Sequence, residues 1–143
     1  MKRFFKWSVY VGLALLVLAQ LVPYGRDHSA PATNVEPTWD SLRTRELAVL
    51  ACFDCHSNQT HWPWYSWVAP ISWLVAHDVE EGRAHLNFSE FDRRQRNADE
   101  AADAVRSDEM PLQPYLWLHS EARLSEAEYE ELASGLERTL ESK

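Results

Sequence analysis

Sulfur is scarce in this chain: 143 residues carry two cysteines and two methionines. Two cysteines exclude a disulfide-stapled scaffold, and a bridge between Cys52 and Cys55 would close a strained two-residue loop that adds little stability. No second C-x-x-C pair and no H-x₃₋₅-H pair accompanies them, so a zinc module built on Cys52, Cys55, His56 and one further histidine lacks the usual spacing. Alternation of apolar and polar residues over strand length is missing throughout, which leaves helices as the regular element. Basic charge is also thin beyond the N-terminus. Lys2, Arg3, Lys6 and Arg26 precede Asp27, so ten of the 14 basic side chains and all 22 acidic ones lie from Asp27 onward, a net charge of −12 for that part. That balance excludes a nucleic-acid partner. An acidic surface of this kind serves solubility or steers a basic redox partner.

Both cysteines fall in one motif, Cys52-Phe53-Asp54-Cys55-His56. Two thiols three residues apart on a helical turn point to the same side, so both can bond the two vinyl groups of one porphyrin, and the next residue then offers an imidazole to its iron. The motif reads as the attachment site of a single, covalently bound haem c. A disulfide leaves His56 unexplained.

The N-terminus points to export. A dense apolar run from Trp7 to Val22 follows Lys2, Arg3 and Lys6. As one helix, Phe4 to Tyr24 would rise about 31 Å and just cross the hydrocarbon core. Lys6 can snorkel, and Trp7, Tyr10 and Tyr24 suit the two interfaces. A cleaved signal needs a small-x-small site close behind the run, and Ala30-Pro31-Ala32 lies rather far downstream, so residues 1–25 are expected to stay as an anchor. The positive end stays in the cytoplasm, which puts the rest in the periplasm of a bacterial inner-membrane protein. Export agrees with the motif, since covalent haem attachment in bacteria takes place on that side of the membrane.

Residues 26–37 are polar, hold Pro31 and Pro37, and read as a tether with a reach of roughly 20 Å. Residues 38–143 are expected to form the haem-binding domain. Thr38 or Asp40 can cap a first helix carrying Leu42, Leu47, Val49 and Leu50 into Cys52. The indole-rich stretch with Trp62, Trp64, Tyr65, Trp67 and Trp73 suits either a porphyrin face or a protein core. Pro70 opens a second helix, Ile71 to about Ala84, with Trp73, Leu74 and Val75 apolar. Ser89 and Asp92 resemble a cap, and a charged helix is expected over Ala98–Arg106. Pro111 and Pro114 break the next stretch. Ser125 and Glu128 form a capping box for a C-terminal helix with Tyr129, Leu132, Ala133, Leu136 and Leu140 on its apolar face. The fold predicted is all-α: a small helical haem domain behind an N-terminal transmembrane helix.

Several short motifs in this order resemble a known family. They are Cys52-Phe53-Asp54-Cys55-His56-Ser57-Asn58, Trp62-Pro63-Trp64-Tyr65, Ala69-Pro70, Gly82-Arg83, Asn87-Phe88-Ser89, Met110-Pro111 and Tyr115. The chain from about Thr38 to the C-terminal helix resembles the bacterial haem-binding domain family of cytochrome c-like proteins. The resemblance implies a membrane-anchored or exported single-haem protein.

His56 is the expected proximal ligand, its other ring nitrogen donating to a carbonyl that orients it; analogy with small cytochromes c points to Pro63 or Pro70 as the acceptor. Met1 lies on the wrong side of the membrane, so a thioether sixth ligand must be Met110, 54 residues after His56 in a proline-stiffened loop. His77 is the rival for that position, and His61, His85 and His119 read as surface or capping residues. Trp62, Trp64, Tyr65 and Arg83 are candidates for the haem pocket. With both axial positions filled, the expected function is one-electron transfer to or from a membrane or periplasmic oxidoreductase, with no catalytic constellation. An open or labile sixth position would instead give a haem peroxidase or a gas or redox sensor.

Overall fold

The computed structural model describes residues 2–32 and 35–140. Met1, set aside as a ligand, and Thr33 and Asn34 of the expected tether lie outside them. Among the described residues the regular structure is helical, as predicted, apart from one isolated parallel bridge between Val35 and Glu90.

Helix α1 (Lys2–Ala19) buries none of its residues. It is shorter than expected. The predicted span to Tyr24 stops at Ala19 because the Gln20 side chain turns onto the body of the protein: its Nε2 donates to the Ala69 carbonyl at 2.8 Å and its Oε1 accepts from the Ala69 N–H at 3.1 Å. Pro23, which lacks an N–H, then rules out resumption. Among the described residues no helix is long and apolar enough to cross a membrane, and Lys2, Arg3 and Lys6 occupy the start of this one.

Helix α2 (Leu42–Ala51) is capped by Ser41, whose hydroxyl accepts from the Thr44 N–H at 3.0 Å, not by Thr38 or Asp40. Asp40 instead accepts from Arg138 at 2.7 Å. The buried face is Thr44, Leu47, Ala48 and Ala51, while Leu42, Val49 and Leu50 point outward. The reason lies in the neighbour, α7 (Glu126–Leu140). A Cβ added to its Gly135 would stand 2.2 Å from Thr44 Oγ1, so the two helices cross with small residues at the contact and large ones would hold them apart. Helix α7 begins with the expected capping box, Ser125 N–H to Glu128 Oε2 at 2.9 Å. It buries Leu132, Ala133 and Leu136 as its periodicity requires. Burying each leucine stabilises the fold by about 1.5–3 kcal/mol.

Cys52 ends α2 and starts the one-turn helix α3 (Phe53–His56). Helix α4 (Ile71–His85) follows the 3₁₀ turn Trp64–Trp67. It packs on α3 and on that 3₁₀ turn, burying Ser72, Ala76, Val79 and Gly82 and leaving Leu74 exposed where an apolar contact was expected. The Ser89–Asp92 cap does not form; those residues sit in turns. Ser89 belongs to a buried polar knot. Asn87 Nδ2 donates to Asn58 Oδ1, the Asn58 N–H to Ser89 Oγ and the Ser89 N–H to Asn87 Oδ1, each at 2.9 Å. Every buried amide here has a partner, which fixes the exit of the motif against the end of α4.

Helix α5 (Ala101–Arg106) begins three residues later than predicted, after a turn, and packs on α7. The proline-broken stretch holds a short helix after all, α6 (Gln113–Leu118), because Pro114 lies in its first turn, where an N–H has no helical partner to lose. The expected tether lies along the body: His28 stacks on Trp62 at 4.1 Å, Asn58 Nδ2 donates to the Ala32 carbonyl at 2.9 Å, and the Phe91 N–H donates to the Val35 carbonyl at 2.8 Å.

Candidate functional site

The motif opens onto an apolar cavity of about 390 Å³. Cys52, Cys55 and His56 form one wall, Ile71, Leu74, Val75 and Val79 of α4 a second, and Met110 to Leu112 with Tyr115, Leu118 and His119 a third. A second cavity of about 300 Å³ shares Ala51, Cys52, His56, His85, Met110 and Pro111 with the first and extends to Phe88, Val105 and Leu136. The motif and Met110 therefore face both spaces.

Helix α4 comes close to the motif because residue 82 is glycine. An added Cβ would lie 2.6 Å from the Cys55 carbonyl oxygen. Burial pushes each of the two thiols up to about 12, so both stay protonated. Among the described residues no group of three or more His, Cys, Asp and Glu side chains converges as a metal ion requires, which leaves the zinc reading without a ligand set.

His56 is oriented from behind. Its Nδ1 lies 3.0 Å from the Leu86 carbonyl, and since a carbonyl only accepts, Nδ1 carries the proton and Nε2 keeps its lone pair. Burial lowers the imidazole pKa, the Leu86 carbonyl opposing it, so the ring is neutral. Leu86 takes the place expected of Pro63 or Pro70. Met110 is set by α5: its N–H and that of Glu109 both donate to the Ala104 carbonyl at 3.0 Å, after a turn in which Asp108 takes φ 58°. Asp tolerates this left-handed conformation better than most residues.

Of the other sequence candidates, Tyr65 lines the cavity, whereas Trp62, Trp64 and Arg83 do not. Trp62 stacks on His28 and Trp64 is 79% exposed. Arg83 is a strut, with Nε donating to the Ser57 carbonyl at 2.8 Å and Nη2 to Thr60 Oγ1 at 2.9 Å. His77 is exposed and lines neither cavity, while His61, His85 and His119 do.

Sequence reasoning missed a polar cluster at the cavity wall. Tyr115 donates to Asp54 Oδ2 at 2.8 Å, and burial together with the Asp54 charge holds its phenol well above its ordinary pKa. The Tyr115 ring stacks on His119 at 3.9 Å. His119 Nδ1 faces the Tyr115 carbonyl at 2.9 Å, so its Nε2 accepts from the Tyr65 hydroxyl at 3.1 Å. The advance signals were Tyr115 and Tyr65, each singled out separately, and the position of Asp54 inside the motif; their pairing was not visible in the sequence.

A helical domain with two thiols, an imidazole with a free Nε2 and a thioether around one apolar cavity has the donors and the walls of a porphyrin-binding protein. The chain belongs to the haem-binding domain family, whose model matches residues 14–138. No curated protein and no solved structure matches it. The cofactor is haem, and the cavity fits it: soft and imidazole donors stand at its wall and hydrocarbon forms most of the rest.

Proposed function

We propose that the protein is a monohaem c-type cytochrome that carries single electrons on the periplasmic side of a bacterial inner membrane. The observation that carries this reading is the placement of Cys52, Cys55, His56 and Met110 around one cavity. Cys52 and Cys55 would hold the haem through its two vinyl groups, each thiol giving a carbon–sulfur bond with its hydrogen passing to the other vinyl carbon. His56, oriented by Leu86, would offer Nε2 to the iron, and Met110 would offer its sulfur from the loop that α5 fixes. Haem would supply a one-electron couple when bound, and a thioether ligand would raise its potential. The apolar walls keep water away.

Membrane attachment is supported by α1, an apolar helix with no buried residue. A helix apolar on all sides is stable where lipid or protein covers it, and the basic residues at its start favour the cytoplasmic side. A membrane or periplasmic oxidoreductase is the expected redox partner.

The decisive experiment is visible spectroscopy of the protein expressed with haem-attachment machinery. The haem should survive denaturation on the chain, and the native ferrous protein should not bind carbon monoxide rapidly. Met110→Ala should keep its haem but change the ligand-field bands and admit carbon monoxide; an unchanged spectrum would refute the Met110 assignment. The second reading, a peroxidase or gas sensor, is favoured by the Tyr65–His119 and Tyr115–Asp54 hydrogen bonds at the same cavity. Rapid carbon monoxide binding by the unaltered protein would establish it in place of the carrier.

A further inference from the structure

One stretch of this acidic chain carries no charge. Between Asp54 and Asp78 the chain has no Asp, Glu, Lys or Arg, against a formal net charge of −8 overall. Within that stretch Trp64, Trp67, Val68, Ile71 and Leu74 are exposed, Trp64 by 79% and Trp67 by 55%. Trp64, Trp67, Ile71 and Leu74 follow one another at steps of three or four residues, with Val68 beside Trp67, across the 3₁₀ turn and the first turns of α4. Exposed apolar side chains so concentrated mark an interaction surface.

The same stretch is where α1 is fastened. Gln20, just past the end of α1, pairs in both directions with the backbone of Ala69. Tyr24 donates to Glu80 Oε2 at 3.0 Å. Gly25, at φ 75°, lets the chain pass so close to α4 that an added Cβ would stand 2.5 Å from the Ser72 carbonyl oxygen. His28 then stacks on Trp62 and meets Trp67 edge-on at 4.2 Å. The uncharged stripe thus begins beside the end of a helix that is apolar from Trp7 onward apart from Ser8, and these contacts tie the two together.

We propose that the Trp64–Leu74 corner rests on the lipid surface, with Trp64 and Trp67 at headgroup level. The inference rests on the reading of α1 as the membrane attachment. Indoles favour this depth because their rings are apolar and their N–H groups reach water or headgroups. Carboxylates would be repelled by anionic lipid, and none stands in this stretch although the rest of the domain is rich in them. Ile71 and Leu74 belong both to the stripe and to the cavity lining, which places the cavity edge at the surface. A protein docked on the corner would cover the same side chains but would give no reason for their fastening to α1.

The test is fluorine NMR of the full, haem-loaded, reduced chain carrying 5-fluorotryptophan, in nanodiscs of phosphatidylethanolamine and phosphatidylglycerol. Single Trp→Phe variants assign the signals, and nitroxide lipids labelled at the headgroup or deep in the acyl chain supply the broadening. Trp7 should broaden with either lipid. Trp64 and Trp67 should broaden several-fold more with the headgroup label than Trp39, which is partly buried against Phe53 and Phe88. Broadening of Trp7 with Trp64 and Trp67 no more affected than Trp39 would overturn the docked corner while leaving the anchor standing. An unaffected Trp7 would overturn the anchor and the corner together. Gln20→Ala, which loosens the fastening, should weaken the effect at Trp64 and Trp67 and leave Trp7 unchanged.

Discussion

The two sides of the attachment motif are packed by different means. On the side of α2, α5 and α7, protein meets protein: Leu47, Ala48, Leu132, Ala133 and Leu136 are buried against one another, and helices cross at glycine. On the side of α4 and the Met110–His119 segment, apolar walls face a cavity. The first side is filled mainly by its own side chains, the second cavity reaching it at Val105 and Leu136, and the second side by the cofactor. Stability and haem chemistry therefore weigh differently on two regions that meet at the motif, Met110 and that second cavity, and substitutions away from the overlap should behave differently.

A pair of glycines tests this division most strongly. Gly135→Ala gains helix propensity of roughly 1 kcal/mol but drives a methyl into Thr44, a buried, β-branched residue already hydrogen-bonded to Ser41. Overpacking prevails, and a net loss of about 1–3 kcal/mol is expected in denaturant unfolding, with or without haem. Gly82→Ala meets the Cys55 backbone and should displace α4 from the motif. Its signature is a changed visible spectrum and poorer haem attachment, with the α2–α7 packing intact by hydrogen exchange. Equal behaviour of the two variants would refute the division.

A smaller effect is expected at the cavity wall. Tyr115→Phe removes the hydrogen bond to Asp54 and should cost about 1–2 kcal/mol. Faster amide exchange confined to α6 is the measurement that checks it. The smallest effect concerns Glu36 on the protein-packed side, which accepts from Arg45 Nε and Nη2 at 2.7 Å each. The guanidinium holds the Glu36 carboxyl below its ordinary value of 4.5. Because the folded pKa is the lower one, its contribution is complete above that pH and is lost as pH falls through the folded value. Glu36→Gln should lower stability slightly near neutrality and flatten the acid limb, so that the two stability curves converge below the folded pKa.

Much of the helical frame was legible from local pattern. The C-terminal helix carried its own capping box and stripe, α4 followed a proline suited to its start, and the motif named the cofactor. What escaped was decided between segments distant in sequence. Leu42, Val49 and Leu50 gave α2 an apolar face, yet the crossing at Gly135 selected the face with Thr44 and Ala48. Helix α1 ended early because Gln20 found Ala69, a contact invisible to hydropathy. The acceptor for His56 is a backbone carbonyl, which every residue possesses, so no residue type could mark Leu86. The Tyr65–His119 and Tyr115–Asp54 pairs join residues 54 and 61 positions apart.

The bond from His56 to Leu86 makes the end of α4 a tuning peg for the proposed ligand. An imidazole whose N–H is drawn toward a carbonyl gives more electron density through its other nitrogen, and iron so coordinated holds its oxidised state more firmly. Leu86 is the residue that terminates α4, and its side chain is packed in the same core as Phe88 and Phe53. Substitutions that shift this helix end by a few tenths of an ångström should move the reduction potential of the proposed haem through the aliphatic core, without touching the cofactor itself.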